Sequence, residues 1–160
     1  MNYLIESERL YLRKFNLSDA EAYYQMTRDT DIQKYVEYAC APTLEETIEN
    51  IDLSYSQSDF VHDYYLLLED KNLHKIVGAI LATESIDSSV LEVCILTHPE
   101  FRKKGYMTEA LNTFIKYLPT GKILSFCINY QNFASLKTIS KLPNVQEVSS
   151  NLYRIFQYTV

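Results

Sequence analysis

The apolar positions between residues 106 and 118 recur with the period of an α-helix. They fall at i, i+3, i+4, i+7, i+8 and i+11 and form one stripe that can face a core. Its residues are Met107, Ala110, Leu111, Phe114, Ile115 and Leu118. A second stripe predicts a helix over residues 44–56, and its residues are Leu44, Ile48, Ile51 and Tyr55. A third predicts a helix between Asn132 and Pro143, and its residues are Leu136, Ile139 and Leu142.

Three sequence pairs predict where helices start. In a capping box, a cap hydroxyl and an acid or amide three residues later satisfy each other's backbone N–H groups. The matching pairs are Ser18 with Glu21, Thr30 with Gln33, and Thr43 with Glu46. Asn132 is a suitable cap for the last helix because its side-chain oxygen accepts a backbone N–H.

The remaining apolar runs have the two-residue period or the length of strands. These runs cover residues 10–14, 64–69, 76–84, 89–96, 122–128, 145–148 and 152–160. Short polar connections at 70–72 and 86–88 favour an antiparallel meander, whereas the strand, helix and strand over 89–128 suit a right-handed parallel crossover. The order β, helices, βββ, α, β, α, ββ predicts a single α+β domain over residues 1–160 with a mixed, mostly antiparallel sheet.

Length and composition agree with one ordinary globular domain. The chain has 160 residues, of which 47% are apolar and 22% charged, and its apolar runs are too short to span a bilayer. It opens without the basic and apolar regions of a secretory signal, so we expect a cytoplasmic protein without a membrane partner. A formal net charge of −6 and the lack of a basic stripe disfavour nucleic acid as a partner.

The cysteines predict neither a disulfide framework nor a metal site. Cys40, Cys94 and Cys127 are odd in number, lie far apart and have no histidine at ligand spacing. Cys94 and Cys127 fall inside strand-like runs, where a free cysteine is usually a small buried hydrophobic residue. We therefore expect no metal cofactor.

A short basic turn precedes the strongest helix. Arg102, Lys103 and Lys104 supply positive charge, and Gly105 allows the backbone to approach a ligand closely. The first N–H groups of a helix have no intrahelical acceptor and lie at the positive end of its dipole, so this turn can bind a diphosphate. The alternative is a solvated turn whose glycine only shapes the backbone.

Four stretches resemble one family. Residues 102–107 match its motif of Arg or Gln, two residues, Gly, one residue, and Gly or Ala in all but the last position. Residues 8–13 resemble an opening "ERLxLR", residues 105–111 a "GYATEAL" and residues 132–135 an "NxxS". Together with the element order, they resemble the GNAT superfamily of acyl-CoA-dependent N-acyltransferases, and within it the ribosomal-protein-alanine N-acetyltransferase group.

The resemblance implies a sheet of six to seven strands, flanked by helices, whose strands 89–96 and 122–128 splay apart to bind acetyl-CoA. Pantetheine amides would pair with the backbone of the first strand, and the pyrophosphate would meet the N–H groups of the basic turn. The residues expected to contact acetyl-CoA are Ile95, Leu96, Thr97, Arg102, Lys103, Lys104, Gly105, Tyr106, Met107, Thr108 and Asn132. The chain departs from the family in three places, with Met107 for a small residue, Pro143-Asn144 for Gly-Phe, and Ile139 for a tyrosine that serves as general acid.

The activity implied is transfer of an acetyl group to a primary amine by direct attack in a ternary complex. Glu92 is the candidate general base through a water, with an exposed structural glutamate as the alternative. Ser135 is the candidate proton donor to the departing thiolate, although a structural hydrogen bond in the helix cap explains it equally well. A dedicated acid is dispensable because coenzyme A thiolate is a good leaving group.

The sequence says least about the acceptor amine. The candidate wall residues of the acceptor site are Tyr35, Tyr38, Tyr130 and Tyr153. A peptide N-terminus, a polyamine or an aminoglycoside fits the acidic net charge of the chain.

The alternative is a GNAT-like module that binds acyl-CoA without transferring the acyl group. Nucleotide binding through a P-loop or dinucleotide fold is excluded, because the chain's three glycines cannot build either motif. Monomer and homodimer stay open.

Overall fold

The computed structural model describes residues 3–86, 89–149 and 153–160, and within them eight strands form one sheet. The strands are β1 Tyr3–Glu6, β2 Leu10–Arg13, β3 Asp63–Asp70, β4 Ile76–Glu84, β5 Val90–Thr97, β6 Ile123–Asn129, β7 Gln146–Ser149 and β8 Tyr153–Thr159. The α-helices are α1 Ala20–Thr27, α2 Thr30–Val36, α3 Leu44–Asn50, α4 Tyr106–Tyr117 and α5 Phe133–Ile139. The predicted turn at 87–88 and the start of the predicted strand at 152 lie outside the described residues.

The sheet has the order β1-β2-β3-β4-β5-β6-β8-β7, in which only β5 and β6 pair in parallel. This parallel pairing is confined to Val90–Glu92 against Ile123–Ser125, although both strands continue for several residues. The two strands therefore separate toward their C-terminal ends, as expected. The fold class is confirmed, but the number of strands is corrected from six or seven to eight.

The additional strand is β1, a four-residue edge strand that pairs antiparallel with β2. Its sequence is too short to show a decisive alternation, and its extended conformation depends on pairing with a strand already in the sheet. A local pattern therefore could not predict it.

Two hydrophobic clusters cover the two faces of the sheet. One contains the buried stripe of α4 together with residues of α5, and Leu91 points into it. The other contains residues of α1 and α2, and Cys94 and Leu96 point into it. Because successive strand residues alternate between faces, β5 contributes to both layers.

The helix starts agree only in part with the capping patterns. Thr43 accepts the Glu46 N–H at 3.1 Å, as predicted. Thr30 is not a cap, because the Asp29 carboxylate immediately before it accepts the first N–H groups of α2. Ser18 lies inside a 3₁₀ turn, Leu17–Asp19, whose capping box begins at Asn16.

The predicted helix over 44–56 is α3 followed by a wider π-helical turn, Ile51–Tyr55. Among the described residues, no helix combines the length and the apolar character needed to cross a membrane.

Candidate active site

Two of the motif stretches meet at the start of α4. Glu109 accepts hydrogen bonds from the Arg9 Nε at 2.6 Å, the Arg9 backbone N–H at 2.8 Å and the Ser7 hydroxyl at 2.6 Å. Burial disfavours the charged carboxylate, but these hydrogen bonds outweigh it and lower the pKa of Glu109. The Arg9 guanidinium also donates to the Lys104 carbonyl at 3.1 Å. The basic turn is thereby attached to the turn between β1 and β2.

Tyr106 fixes the turn from its other side. Its ring lies under the Arg9 guanidinium at 4.4 Å, and its hydroxyl donates to Asp70 Oδ2 at 2.6 Å. Gly105 has φ +82°, a conformation that L side chains rarely adopt. The glycine is therefore required by the backbone.

The backbone of the turn presents a row of donors. Lys103 also has positive φ, +61°, and Gly105 precedes the first residue of α4. None of the N–H groups from Lys103 to Thr108 donates to a backbone carbonyl within the described ranges, whereas the Glu109 N–H already donates to Gly105. Successive backbone N–H groups in a turn just ahead of a helix form a concavity that can bind an anion. This row fits a diphosphate.

A cleft of about 640 Å³ opens over this row. It lies between α2, the end of β5, the basic turn with α4, and the loop leading into α5. The expected acetyl-CoA contacts that border it are Ile95, Leu96, Thr97, Arg102, Lys103, Gly105, Tyr106, Met107, Thr108 and Asn132. The candidate proton donor Ser135 borders it as well. Lys104 and Glu92 border neither this cleft nor the smaller cavity described below.

Arg102 differs in its surroundings from the other basic residues of the turn. Its guanidinium forms ion pairs with Asp29 and Asp31 at the start of α2. Burial disfavours the charged carboxylate of Asp29, but the hydrogen bonds from Arg102 and from the start of α2 outweigh it and lower its pKa. Arg102 therefore attaches α2 to the basic turn, and its charge is already compensated.

Two lysines of the cleft were missed by sequence reasoning. Lys137 and Lys141 border the cleft beside Lys103, and none of these three forms an ion pair with a described residue. A spacing of four residues is that of one helical face and was the available signal, but Lys141 lies in the turn just after α5. Together they leave uncompensated positive charge around the amide row.

The two departures from the family motifs in α4 and α5 are core residues. Met107 is 5% exposed and Ile139 is 0% exposed, and both belong to the cluster under α4. The Met107 side chain thus packs into the core, although the residue also borders the cleft. Ile139 supplies no hydrogen-bonding group there.

Asn132 and Ser135 lie at the start of α5. Asn132 Oδ1 accepts the Ser135 N–H at 3.1 Å and so caps α5, as predicted. The Ser135 hydroxyl has no hydrogen-bond partner among the described residues, and both residues border the larger cleft and an inner cavity. Glu92 is exposed on β5, where it pairs with Thr83 and Ser125.

The inner cavity, of about 30 Å³, lies where β5 and β6 separate. No charged side chain lines it within the described residues. Its lining residues are Tyr35, Val36, Tyr38, Val93, Cys94, Ile95, Phe126, Cys127, Ile128, Asn129, Asn132 and Ser135. Burial raises the pKa of Cys94 to about 11, although the nearby Tyr38 hydroxyl opposes the shift. The thiol is therefore neutral at ordinary pH.

The four tyrosines expected on the acceptor wall divide into two pairs. Tyr35 and Tyr38 border the inner cavity, whereas Tyr130 and Tyr153 border neither space. The Tyr35 hydroxyl donates to the Gln131 carbonyl at 3.2 Å, so it connects α2 to the loop after β6. This hydrogen bond therefore joins two sides of the cleft.

The fold, the amide row and the cleft at the separated strands define an acyl-CoA-dependent transferase of the class anticipated from the motifs. The family model for the acetyltransferase (GNAT) domain matches residues 9–142, and the chain belongs to this family. Its members carry out acetyl-CoA-dependent acetylation. The resemblance found in the sequence is confirmed.

The relatives are distant in sequence. The uncharacterized N-acetyltransferase YnaD of Bacillus subtilis (strain 168) is 22% identical over 142 residues, which cover 86% of this chain and 80% of YnaD. A GNAT-family acetyltransferase structure from Bacillus anthracis superposes with a TM-score of 0.79 at 20% identity and covers 98% of this chain and 96% of its own. RimL, a ribosomal L7/L12 alpha-N-protein acetyltransferase in complex with coenzyme A, gives 0.79 at 14% identity and coverages of 99% and 98%.

Proposed function

We propose that the chain transfers the acetyl group of acetyl-CoA to a primary amine, by direct attack in a ternary complex. The observation that carries the proposal is the continuity of two spaces. A cleft beside unpaired backbone amides shares Tyr35, Ile95 and Ser135 with a cavity between the separated strands. The diphosphate and the thioester of one donor molecule would occupy these two spaces.

The chain's own residues account for donor binding. The N–H groups from Lys103 to Thr108 would hold the diphosphate, and Lys103, Lys137 and Lys141 would add charge that fits its phosphates. Beyond Glu92, β5 has no parallel partner, so its backbone is available to pantetheine amides as to an added strand. Bound there, acetyl-CoA supplies an activated carbonyl and a good leaving group.

The uncharged inner cavity favours an amine that is already neutral. No carboxylate lines the cavity within the described residues, so an ammonium group would lose hydration there without gaining a counter-charge. An α-amino group has a pKa of roughly 7.7–8.0, against about 10.4 for a lysine side chain, and is neutral far more often near pH 7. A peptide N-terminus is therefore the acceptor that we favour over lysine side chains and polyamines.

A second candidate is a module that binds acyl-CoA without transferring the acyl group. Two observations favour it, namely the buried Ile139 at the position of the family's general acid and the absence of Glu92 from the cavity wall. Positioning and desolvation alone accelerate reactions substantially, so neither observation removes the transferase.

The test combines calorimetry with coenzyme A and a thiol-release assay with acetyl-CoA. The amines are a peptide with a free N-terminus, the same peptide with a blocked N-terminus and one lysine, a polyamine and an aminoglycoside. The proposal predicts release of coenzyme A with the free N-terminus, and slower release with the blocked peptide. Tight binding without release for every amine would support the binding module. Absence of binding would contradict both.

A further inference from the structure

Phe133, the first residue of α5, is an exposed aromatic residue at the border of the cleft. It is 75% exposed and belongs to neither hydrophobic cluster. Within the described ranges its ring pairs with no other aromatic ring. It also occupies a variable position of the NxxS motif, so the resemblance assigns it no role. An apolar side chain that borders a ligand cleft and has no packing role offers surface that a ligand can bury.

The residues of α5 that border the cleft change from apolar to basic along the helix. Phe133 and Lys137 are four residues apart and so share a helical face, and Lys141 follows in the turn after α5. Asn132 and Ser135, at the start of α5, border both the cleft and the inner cavity, whereas Phe133 borders the cleft alone. Because helical side chains lean toward the N-terminus of their helix, we expect the ring to lean away from the lysines.

The donor has the same order of polarity. In acetyl-CoA the thioester is followed by the pantetheine arm, which carries methylene groups, two amides and a carbon with two methyl groups, and then by the diphosphate. With the thioester in the inner cavity and the diphosphate at the amide row, this arm would cross the cleft between β5 and the start of α5. The unpaired backbone of β5 can bond the amides, but the methyl groups need apolar surface.

We infer that the Phe133 ring packs against the two methyl groups of the pantetheine arm and thereby contributes to donor affinity. The inference rests on the proposed function, from which it takes the orientation of the donor. No covalent bond forms or breaks in this contact. The stabilisation comes from apolar surface that both partners remove from water, and the ring is exposed to water beforehand.

The test compares two ligands that differ by the arm. Coenzyme A contains it, whereas adenosine 3′-phosphate 5′-diphosphate keeps the adenine, the ribose and the phosphates without it. In calorimetry, Phe133→Ala should raise the Kd for coenzyme A about 10-fold and leave the Kd for the nucleotide unchanged. Leu53→Ala is the matched control, because Leu53 is 74% exposed and borders neither the cleft nor the inner cavity. It should bind both ligands as wild type does.

A second measurement does not depend on the nucleotide. In NMR spectra of bound coenzyme A, nuclear Overhauser contacts should join the two methyl groups to a phenylalanine ring. They should disappear in Phe133→Leu, which keeps an apolar side chain. Thermal unfolding should be the same for wild type and all variants, because Phe133 and Leu53 are largely exposed.

Three results would overturn the inference and leave the proposed function intact. The first is an unchanged affinity of Phe133→Ala for coenzyme A. The second is an equal loss of affinity for both ligands, which would place the ring at the nucleotide. The third is a pair of methyl groups without contact to the ring in the wild-type complex. A wild-type chain that binds neither ligand would overturn the proposed function itself and the role of Phe133 with it.

Discussion

Arg9 and Glu109 lie 100 positions apart in the sequence, and their side chains meet at 2.6 Å. The contact joins the residue just before β2 to the first turn of α4, next to the row of amides from Lys103 to Thr108. The Arg9 guanidinium also reaches the Lys104 carbonyl and the Tyr106 ring. The geometry of the basic turn is thus fixed partly by a residue outside the turn.

Replacing Glu109 with glutamine should destabilise the fold in a pH-dependent manner. We expect a loss of about 1–2 kcal/mol at pH 7, because hydrogen bonds to a charged group are replaced by neutral ones. The folded pKa of Glu109 lies below its unfolded value of 4.5, so its contribution is complete above pH 4.5 and disappears as the pH falls through the folded pKa. Urea unfolding at pH 7 and at successively lower pH measures the difference.

The control for this prediction is Glu100→Gln, since Glu100 is exposed and makes no side-chain hydrogen bond with a described residue. It should unfold as wild type at each pH. A difference between Glu109→Gln and wild type that stays constant down to the lowest pH would contradict the assignment.

Replacing Gly105 with alanine should weaken coenzyme A binding. Both Gly105 and Gly121 have positive φ, +82° and +96°, so alanine at either position costs about 1–2 kcal/mol of backbone strain. Only Gly105 adjoins the amide row, and a shift there should raise the Kd for coenzyme A about 10-fold or more, equivalent to about 1.4 kcal/mol. Calorimetry on Gly105→Ala, with Gly121→Ala as the matched control, checks this. Equal affinities for the two variants would show that the turn is not the binding element.

The lysines of the cleft should contribute to donor affinity in a salt-dependent way. Removing Lys137 or Lys141 should each cost about 0.2–1 kcal/mol at low salt, because these are exposed charges. The loss should shrink as the ionic strength rises above about 0.15 M, where the Debye length falls below about 8 Å. Titrations with coenzyme A at two salt concentrations test this, with the exposed Lys116→Ala as control. A loss that is independent of salt would argue against an electrostatic role.

The variant Met107→Ala tests whether the Met107 side chain packs in the core or obstructs the cleft. Because Met107 is 5% exposed in the core, its truncation should cost about 2–5 kcal/mol of stability, as for other buried large residues. Coenzyme A affinity should not rise. Leu111→Ala, in the same helix and 0% exposed, is the matched control and should lose stability without affecting the affinity. Tighter binding by Met107→Ala alone would show that its side chain obstructs the site.

Local patterns predicted the elements whose signals are local. The stripe of α4, the Asn132 cap and the separation of β5 from β6 followed from periodicity, from cap chemistry and from motif resemblance. The pairing of Arg102 with Asp29 was not predictable, because it joins elements that only the fold brings together. The sequence therefore indicated a free cation at Arg102. In the structure, ion pairs with Asp29 and Asp31 balance its charge.

The candidate site residues also depend on contacts that only the fold creates. Glu92 is a plausible base by its position on β5, but its side chain belongs to the exposed part of that strand and borders neither cavity. Tyr38, a candidate wall residue, carries no motif, and it borders the inner cavity only because the turn after α2 lies beside β5 in the fold. Contacts of this kind depend on tertiary packing and leave no periodic trace in the sequence.

The central claim is that the backbone amides from Lys103 to Thr108 hold the diphosphate of coenzyme A. The most direct measurement is an amide NMR titration of the ¹⁵N-labelled chain with coenzyme A. We expect the largest shifts at these six residues, with smaller ones along β5 beyond Glu92. A saturating titration that leaves these amides unshifted would contradict it.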